Sequence, residues 1–412
     1  MKSEKNFFKF GRFLLLGFVS GIPYFWISIT LPLCVASQTV HSEYFKGLSL
    51  LFFPYVLKPF FASILYYLST SIIHRYFFKY TVLAVQTIII FAFYQSSQCM
   101  SPLQFEVLWI WGCVIACFGA IQDIILEGYR INVSKPQISS TQNLLGNQTG
   151  FRLAGLFVSS GALGISHYGS WKLASYVIIG AISIAMLLIG VNSPFPRELF
   201  TKEQESSSYW ASLKKELKDF FSWNRFPLVL LIHLFAYKMI DAFIRWMLPL
   251  FLYGQGYSNI ELMYADKGLG WGSVLLGGFV AHKALQRIPL KWALLAWGIA
   301  QTIADSTCLF QWYLGKHMGL LFFNSFLHQM LSGVGNLLIW VYISDYCRSS
   351  HTMMRYSIIS AWFTLDRLCV TWCASLVYGR THFLTFLALG MLFSALSAMT
   401  FLYSQKVMNR TL

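Results

Sequence analysis

Three ionisable side chains close a long apolar run in the first half of the chain. In QDIILEGYR, Gln122 to Arg130, Asp123 is followed by Glu127 four residues on and by Arg130 three further. A helix therefore stacks all three on one face. The residues leading into them (Leu108, Trp109, Ile110, Trp111, Val114, Ile115, Phe118) carry no charge, as in a membrane span. Two acids and a guanidinium at the end of such a span are costly to place and must face a partner helix or a wet cavity. Two readings are open: an ion-paired helix end that locks helices together, or a gate or ligand contact in a transporter.

Other charges fall where a bilayer would not welcome them. Lys58, Arg152, Lys238, Arg245, Lys267 and Arg367 lie in apolar stretches, as do Asp241, Asp266, Asp305 and Asp366. Lys238, Asp241 and Arg245 are spaced three and four apart, so a helix sets one acid between two cations. The surplus positive charge faces either an acid from another span or an anionic substrate such as a carboxylate. Asp366 and Arg367 are adjacent and point in different directions. An acid that takes up and releases a proton must be shielded enough from water to favour its neutral form. Asp366, with no basic residue one turn away on its own helix, suits proton coupling better than Asp241, and Glu127 is the second candidate. Asp305, beside Gln301, Ser306 and Thr307, reads as a solvated span end.

These residues must be carried by a polytopic membrane protein. Of the 412 residues 56% are hydrophobic, 18% aromatic and only 11% charged, against about 25% charged in soluble proteins. Mean hydropathy is +0.56. The net charge of +15 would suggest nucleic acid for a soluble domain, but no basic patch is interleaved with exposed aromatics, so that class is excluded. Cys113/Cys117 and Cys369/Cys373 are four apart inside apolar runs without a CxxC, so the eight cysteines form neither a metal site nor a disulfide framework. No cofactor motif is present. Gly268-x-Gly270-x-Gly272 lacks the strand and the Lys-Ser/Thr of a phosphate loop. Lys2, Lys5, Lys9 and Arg12 before an apolar run imitate a signal peptide, but no small-residue cleavage site follows, and the segment reads as a retained first helix.

With about 20 apolar residues needed per crossing, the sequence predicts an all-α membrane protein of twelve transmembrane helices. They centre near Val19, Pro59, Ile89, Ile115, Ala154, Ala181, Tyr237, Gly272, Gln301, Met330, Asp366 and Phe393. Placing the N-terminus in the cytoplasm gathers most basic loop residues there, from Lys2 through Arg75, Lys135, Lys214, Lys215, Lys283, Arg348 and Lys406. Only Lys46, Lys172, Lys316 and Arg380 fall opposite. The positive-inside rule then makes both termini cytoplasmic. A polar segment, 193–225, with an amphipathic stretch around Leu213, Leu217 and Phe220, divides residues 1–192 from 226–412, six spans each. Two six-helix halves about a basic linker are the layout of a major facilitator transporter. Gly17 and Gly21, Gly268, and Gly333 and Gly335 mark close helix contacts or moving interfaces. Pro23, Pro32, Pro54 and Pro59 mark broken helices.

In order along the chain, seven segments resemble those of the AmpG-type muropeptide permeases, a branch of the major facilitator superfamily also similar to the acetyl-coenzyme A transporters. GFVSGIP (Gly17 to Pro23) resembles GFxSGLP, PYVLKPFFA (Pro54 to Ala62) resembles PYxLKFLWAP, and QDIILEGYR resembles QDIxxDAYR. FRLAG (Phe151 to Gly155) is similar to YRLG, AYKMIDAF (Ala236 to Phe243) to LYKLGDAF, DKGLG (Asp266 to Gly270) to NKGFG, and LHQMLSGVG (Leu327 to Gly335) to LENLSGGMG. Two positions depart from the family: Tyr67-Leu68-Ser69-Thr70 replaces an Asp-Arg closing span two, and His328 stands where span ten has an acid. The resemblance implies a proton-driven importer of anhydromuropeptides, disaccharide-peptide cell-wall fragments, in the bacterial inner membrane. It implies a monomer in lipid with no nucleic-acid partner and no cofactor. Asp123, Glu127, Arg130, Arg152, Lys238, Asp241, Arg245, Lys267, His328 and Arg367 are then the substrate-binding or gating candidates. Tyr24, Trp26 and Trp340 are candidates to stack on sugar. Alternatives are the same fold carrying a coenzyme A ester or a peptide, or a membrane acyltransferase. The last would want His-x4-Asp, which none of the nine histidines provides.

Overall fold

The computed structural model describes residues 2–36, 50–71, 77–100, 103–133, 138–192, 269–347 and 354–365, with isolated positions between them. The described residues are almost wholly helical and fall into two compact units. One comprises Met1–Trp210 with Ser344–Ala361, the other Ala211–Ile343 with Trp362–Leu412. Six helical segments are long and apolar enough to cross a membrane: Phe10–Thr30, Lys79–Gln98, Phe105–Val133, Trp171–Gly190, Leu290–Leu314 and Met318–Ser344. They coincide with the spans expected at Val19, Ile89, Ile115, Ala181, Gln301 and Met330. The spans expected at Tyr237 and Phe393, and most of the 193–225 linker, lie outside the described residues.

In the first unit, α1 (Lys2–Phe25) runs through a π-helical turn, Trp26–Thr30, into α2 (Leu31–Ala36). Pro32 cannot donate a backbone N–H, and the ladder is loosened in the turn before it. The span around Pro59 is broken in two. α3 (Phe53–Val56) ends at Leu57, whose N–H still reaches the Phe53 carbonyl at 3.1 Å, and α4 (Lys58–Ser71) begins anew. Pro59 disfavours α-geometry in the residue before it, which places the break beside Lys58. α5 (Phe77–Gln98) and α6 (Phe105–Val133) follow. Next, α7 (Ile138–Gly155) passes through a second π-helical turn, Leu156–Gly161, into α8 (Ala162–Tyr168). α9 (Trp171–Asn192) closes the series. At 29 residues α6 is about 44 Å long, well beyond a hydrocarbon core of about 30 Å. Asp123, Glu127 and Arg130 lie in its last third.

α1 and α7 cross at backbone contact. A Cβ on Gly17 would overlap the Asn147 carbonyl, and one on Gly150 would overlap the Leu14 carbonyl. Gly21 faces Phe151 and Ala154 in the same seam. Residues elsewhere on this unit, such as Phe60, Phe91, Ile110, Ile184 and Leu187, turn large apolar side chains outward. That pattern suits lipid and not water.

The second unit contains α10 (Gly270–Leu285), α11 (Leu290–Leu314) and most of α12 (Met318–Cys347). Here Gly277 and Gly333 play the corresponding part, against the Met330 and Val274 carbonyls, while Gly335 receives the Trp297 ring. Trp297 also donates its indole N–H to the Leu331 carbonyl at 2.6 Å. A smaller apolar cluster joins Leu252, Tyr257, Ala265 and Leu321.

Because the α1–α7 seam has no room for a side chain, Gly150→Ala should destabilise the folded protein by about 1–3 kcal/mol, the usual cost of overpacking. Gly164→Ala, with open space at its Cβ, should have no such effect. Thermal unfolding of the two variants in detergent checks the contrast.

Candidate functional site

The acid face of α6 is the centre of a buried polar cluster in the first unit. Asp123 and Glu127, one turn apart, do not share a cation: each has its own. The Asp123 Oδ2 accepts from the Lys58 ammonium at 2.6 Å and from the Tyr356 hydroxyl at 2.8 Å, while Oδ1 accepts from the Ser20 hydroxyl at 2.7 Å. Lys58, buried, donates also to Ser360 Oγ at 2.7 Å and lies over the rings of Tyr55 (5.2 Å) and Tyr356 (5.6 Å). Two aromatic faces, a carboxylate and a hydroxyl thus replace the water an ammonium would hold.

Glu127 forms the second pair. Its Oε2 accepts from Arg130 Nε at 2.7 Å, and its Oε1 accepts from the Asn147 side-chain amide of α7. Arg130 is fully buried and donates through Nη2 to Ser344 Oγ at 2.9 Å. Gln122, on the flank, donates to the Val19 carbonyl at 2.9 Å. Further along, Thr352 donates to the Asn132 side chain at 2.9 Å. Each acid of α6 is matched by one cation, and the four charges sum to zero. The cluster ties α1, α4, α6 and α7 to the segment 344–361, which comes from the second half of the sequence.

Spacing alone put Asp123, Glu127 and Arg130 on one face, and the structure brings Glu127 and Arg130 together while Asp123 turns to Lys58. The partners Ser20, Tyr356, Ser360, Asn147 and Ser344 carry no charge and left no signal in an apolar sequence. Lys58 did leave one, as a lysine inside a span. Arg152 is half-buried at the end of α7, beside Phe151. Tyr24 is half-buried and set against Phe25, Phe52, Tyr55 and Phe151 at centroid distances of 5.4, 6.1, 5.6 and 5.6 Å. Trp26 departs from expectation. It is fully buried against Phe93, with ring centroids 5.1 Å apart, and is a core residue, not a sugar platform. Lys238, Asp241, Arg245, Lys267, Gly268, Asp366 and Arg367 lie outside the described residues.

In the second unit Trp340 packs edge-on against Phe363 at 5.8 Å. Asp305, expected at a solvated span end, is instead 0% exposed in the middle of α11. Its polar neighbours on the helix mislead: Ser306 and Thr307 turn their hydroxyls back to the Ile303 and Ala304 carbonyls. Gln301 donates to Asp305 Oδ1 at 3.0 Å, and His328 Nδ1 of α12 lies 3.6 Å from the same oxygen.

Among the described residues no group of three or more His, Cys, Asp or Glu could hold a metal ion. The long apolar helices, the broken spans and buried ion pairs held by helix ends define a polytopic carrier, and the fold is that of the major facilitator transporters. The fucose transporter FucP, solved in an outward conformation, matches with a TM-score of 0.71 at 15% identity, over 96% of this chain and 98% of its own. A proton:xylose symporter, XylE, matches with a TM-score of 0.62 at 10% identity, over 96% and 94%. By sequence the chain is similar to the transporter AmpG 3 of Rickettsia prowazekii, 24% identical over 93% of this chain and 92% of that protein. It is also similar to the anhydromuropeptide permease of Escherichia coli strain K12, 25% identical over 87% and 72%. No family model matches the chain. The fold class and the AmpG-type resemblance expected from the motifs are both borne out, and the similar proteins are named as transporters and permeases, not enzymes.

If Lys58 and Asp123 compensate each other, Lys58→Met alone should destabilise by about 3–5 kcal/mol, because it strands a buried carboxylate. Adding Asp123→Asn should recover most of that loss. A double-mutant cycle on thermal unfolding in detergent measures the coupling.

Proposed function

We propose that the protein is a proton-driven importer of anhydromuropeptides in the bacterial inner membrane, working by alternating access between a first half (1–192) and a second half (226–412). The observation that carries this reading is the buried cluster that draws residues 344–361 onto α1, α4, α6 and α7. It is a latch of paired charges and hydroxyls, strong when shut and made of separable contacts. Opening it exposes Asp123, Glu127 and Arg130 to water, so their desolvation cost is relieved as the contacts are lost. A bistable closure of this kind is what alternating access requires.

The substrate class draws support from the muropeptide permease among the similar proteins. The aromatic group around Tyr24, beside half-buried Arg152, suits a ligand with sugar faces and carboxylates. Lys238, Asp241, Arg245, Lys267 and Arg367 are proposed as further contacts, and Asp366 as an acid in proton coupling. A coenzyme A ester carried by the same fold is the competing reading. Uptake of labelled anhydromuropeptide into inverted and right-side-out vesicles, challenged with coenzyme A esters and short peptides, separates the two. Accumulation resisted only by muropeptide supports the proposal, and displacement by the coenzyme A ester alone overturns it. In the same assay Arg130→Lys should lower transport while protein yield holds. A lysine keeps the charge but cannot serve Glu127 and Ser344 with one planar fork.

Both termini are proposed to be cytoplasmic. A cysteine placed at Lys214, which is exposed, should react with an impermeant reagent only in inverted vesicles. Reaction in intact cells would reverse the orientation.

A further inference from the structure

We infer that Asp305 and His328 form a proton-binding pair inside the second unit, a site separate from the α6 cluster and from Asp366. The proposal deepens the proton-coupled reading above and rests on it for its role in transport, though not for its chemistry.

Asp305 is wholly buried in mid-helix, where a lone carboxylate would be costly. The ring of His328 approaches it from α12, with Nδ1 3.6 Å from Oδ1. The other ring nitrogen, Nε2, lies 3.5 Å from Cys308 Sγ, one helical turn beyond Asp305. Gln301, one turn before, fixes the carboxylate by donating to Oδ1. The imidazole is thus held between an acid and a thiol, and it is the only ring chemistry at this depth that titrates near neutral pH. Protonated, His328 neutralises Asp305. Deprotonated, it leaves one negative charge enclosed. The two members differ in access: the His328 side chain is 13% exposed and Asp305 not at all. A proton therefore enters and leaves through His328, and Asp305 is the fixed countercharge that retains it.

Among the described residues, few other ionisable groups face the pair. On α11 itself Cys308 is the neighbour; Lys291 and Tyr313 belong to its two ends. α10 carries His282 and Lys283 only in its last turn. On α12, Tyr342, Asp345 and Cys347 follow in the C-terminal part of the helix, away from His328. The nearby hydroxyls of Thr302, Ser306 and Thr307 are engaged with backbone carbonyls of α11. Gain or loss of one proton thus changes the buried charge of an α11–α12 contact by one unit. That contact lies on the same two helices as the Trp297–Leu331 and Trp297–Gly335 packing, so the proton is read out as a change in how firmly they hold.

The test is made first on the purified full-length protein in detergent, with no substrate. Infrared difference spectra across about pH 5 to 9 should show a histidine ring band and a carboxylate band changing together, since imidazole titrates in that range. His328→Gln should remove both, and Asp305→Asn should remove the carboxylate band and shift the histidine one. Persistence of both bands in His328→Gln, or their absence in the parent protein, overturns the proposal. In proteoliposomes, His328→Gln should lose accumulation driven by a pH gradient while keeping substrate exchange. Unchanged accumulation overturns the coupling role, as does joint loss of accumulation and exchange in folded protein. If the parent moves a coenzyme A ester and not muropeptide, the substrate assignment fails and the spectroscopic result stands by itself.

Discussion

A lysine within an apolar span is the constraint from which the first unit is built. Removing an ammonium from water costs several kcal/mol, and attraction to one carboxylate offsets this only when the remaining donor positions are also filled. Lys58 meets that condition by drawing on four different parts of the chain: Tyr55 beside it, Asp123 on α6, and Tyr356 and Ser360 from the second half of the sequence. None of these can be moved without exposing the charge. The break at Leu57 matters for the same reason. It sets Lys58 at the first residue of a new helix, where its stem can turn inward.

The Glu127–Arg130 pair repeats the logic one turn along, with Asn147 and Ser344 as the polar complement. Asn147 is also the residue whose carbonyl touches Gly17. Close packing of α1 on α7 and solvation of Glu127 by an amide are therefore one arrangement. A bulkier residue at position 17 would push Asn147 away from the acid it serves. This links a stripe of small residues to an electrostatic site.

The fold was largely legible because hydropathy reports it directly: a run such as that leading into Asp123 has no stable place except a bilayer or a core. The broken span at Pro59 was legible too, since proline acts on its own backbone. The site was legible only in its charges. Asp123, Glu127, Arg130 and Lys58 stand out against an apolar sequence, whereas Ser20, Ser344 and Ser360 do not, because a serine in a span serves packing as often as hydrogen bonding. Asp305 was misread for a related reason. Its polar neighbours suggested solvent, yet those hydroxyls bond to their own helix, which a sequence cannot distinguish from exposure. Trp26 was misread because an aromatic at a helix bend suits a ligand path and a core equally well.

The two π-helical turns have a further consequence. Thr30, at the end of one, donates to the Val158 carbonyl inside the other at 2.7 Å, so the two irregular turns meet. A π-turn accommodates one residue more than an α-turn, and each residue of an α-helix advances its face by about 100°. Loss of a single residue from Trp26–Thr30 would restore regular pitch but rotate everything after it, carrying Leu31 and Val35 off the faces they now bury. A matching loss from Leu156–Gly161 would rotate the opposing wall as well. Chain length in these two segments is therefore bound together, and a viable shortening would have to occur in both at once.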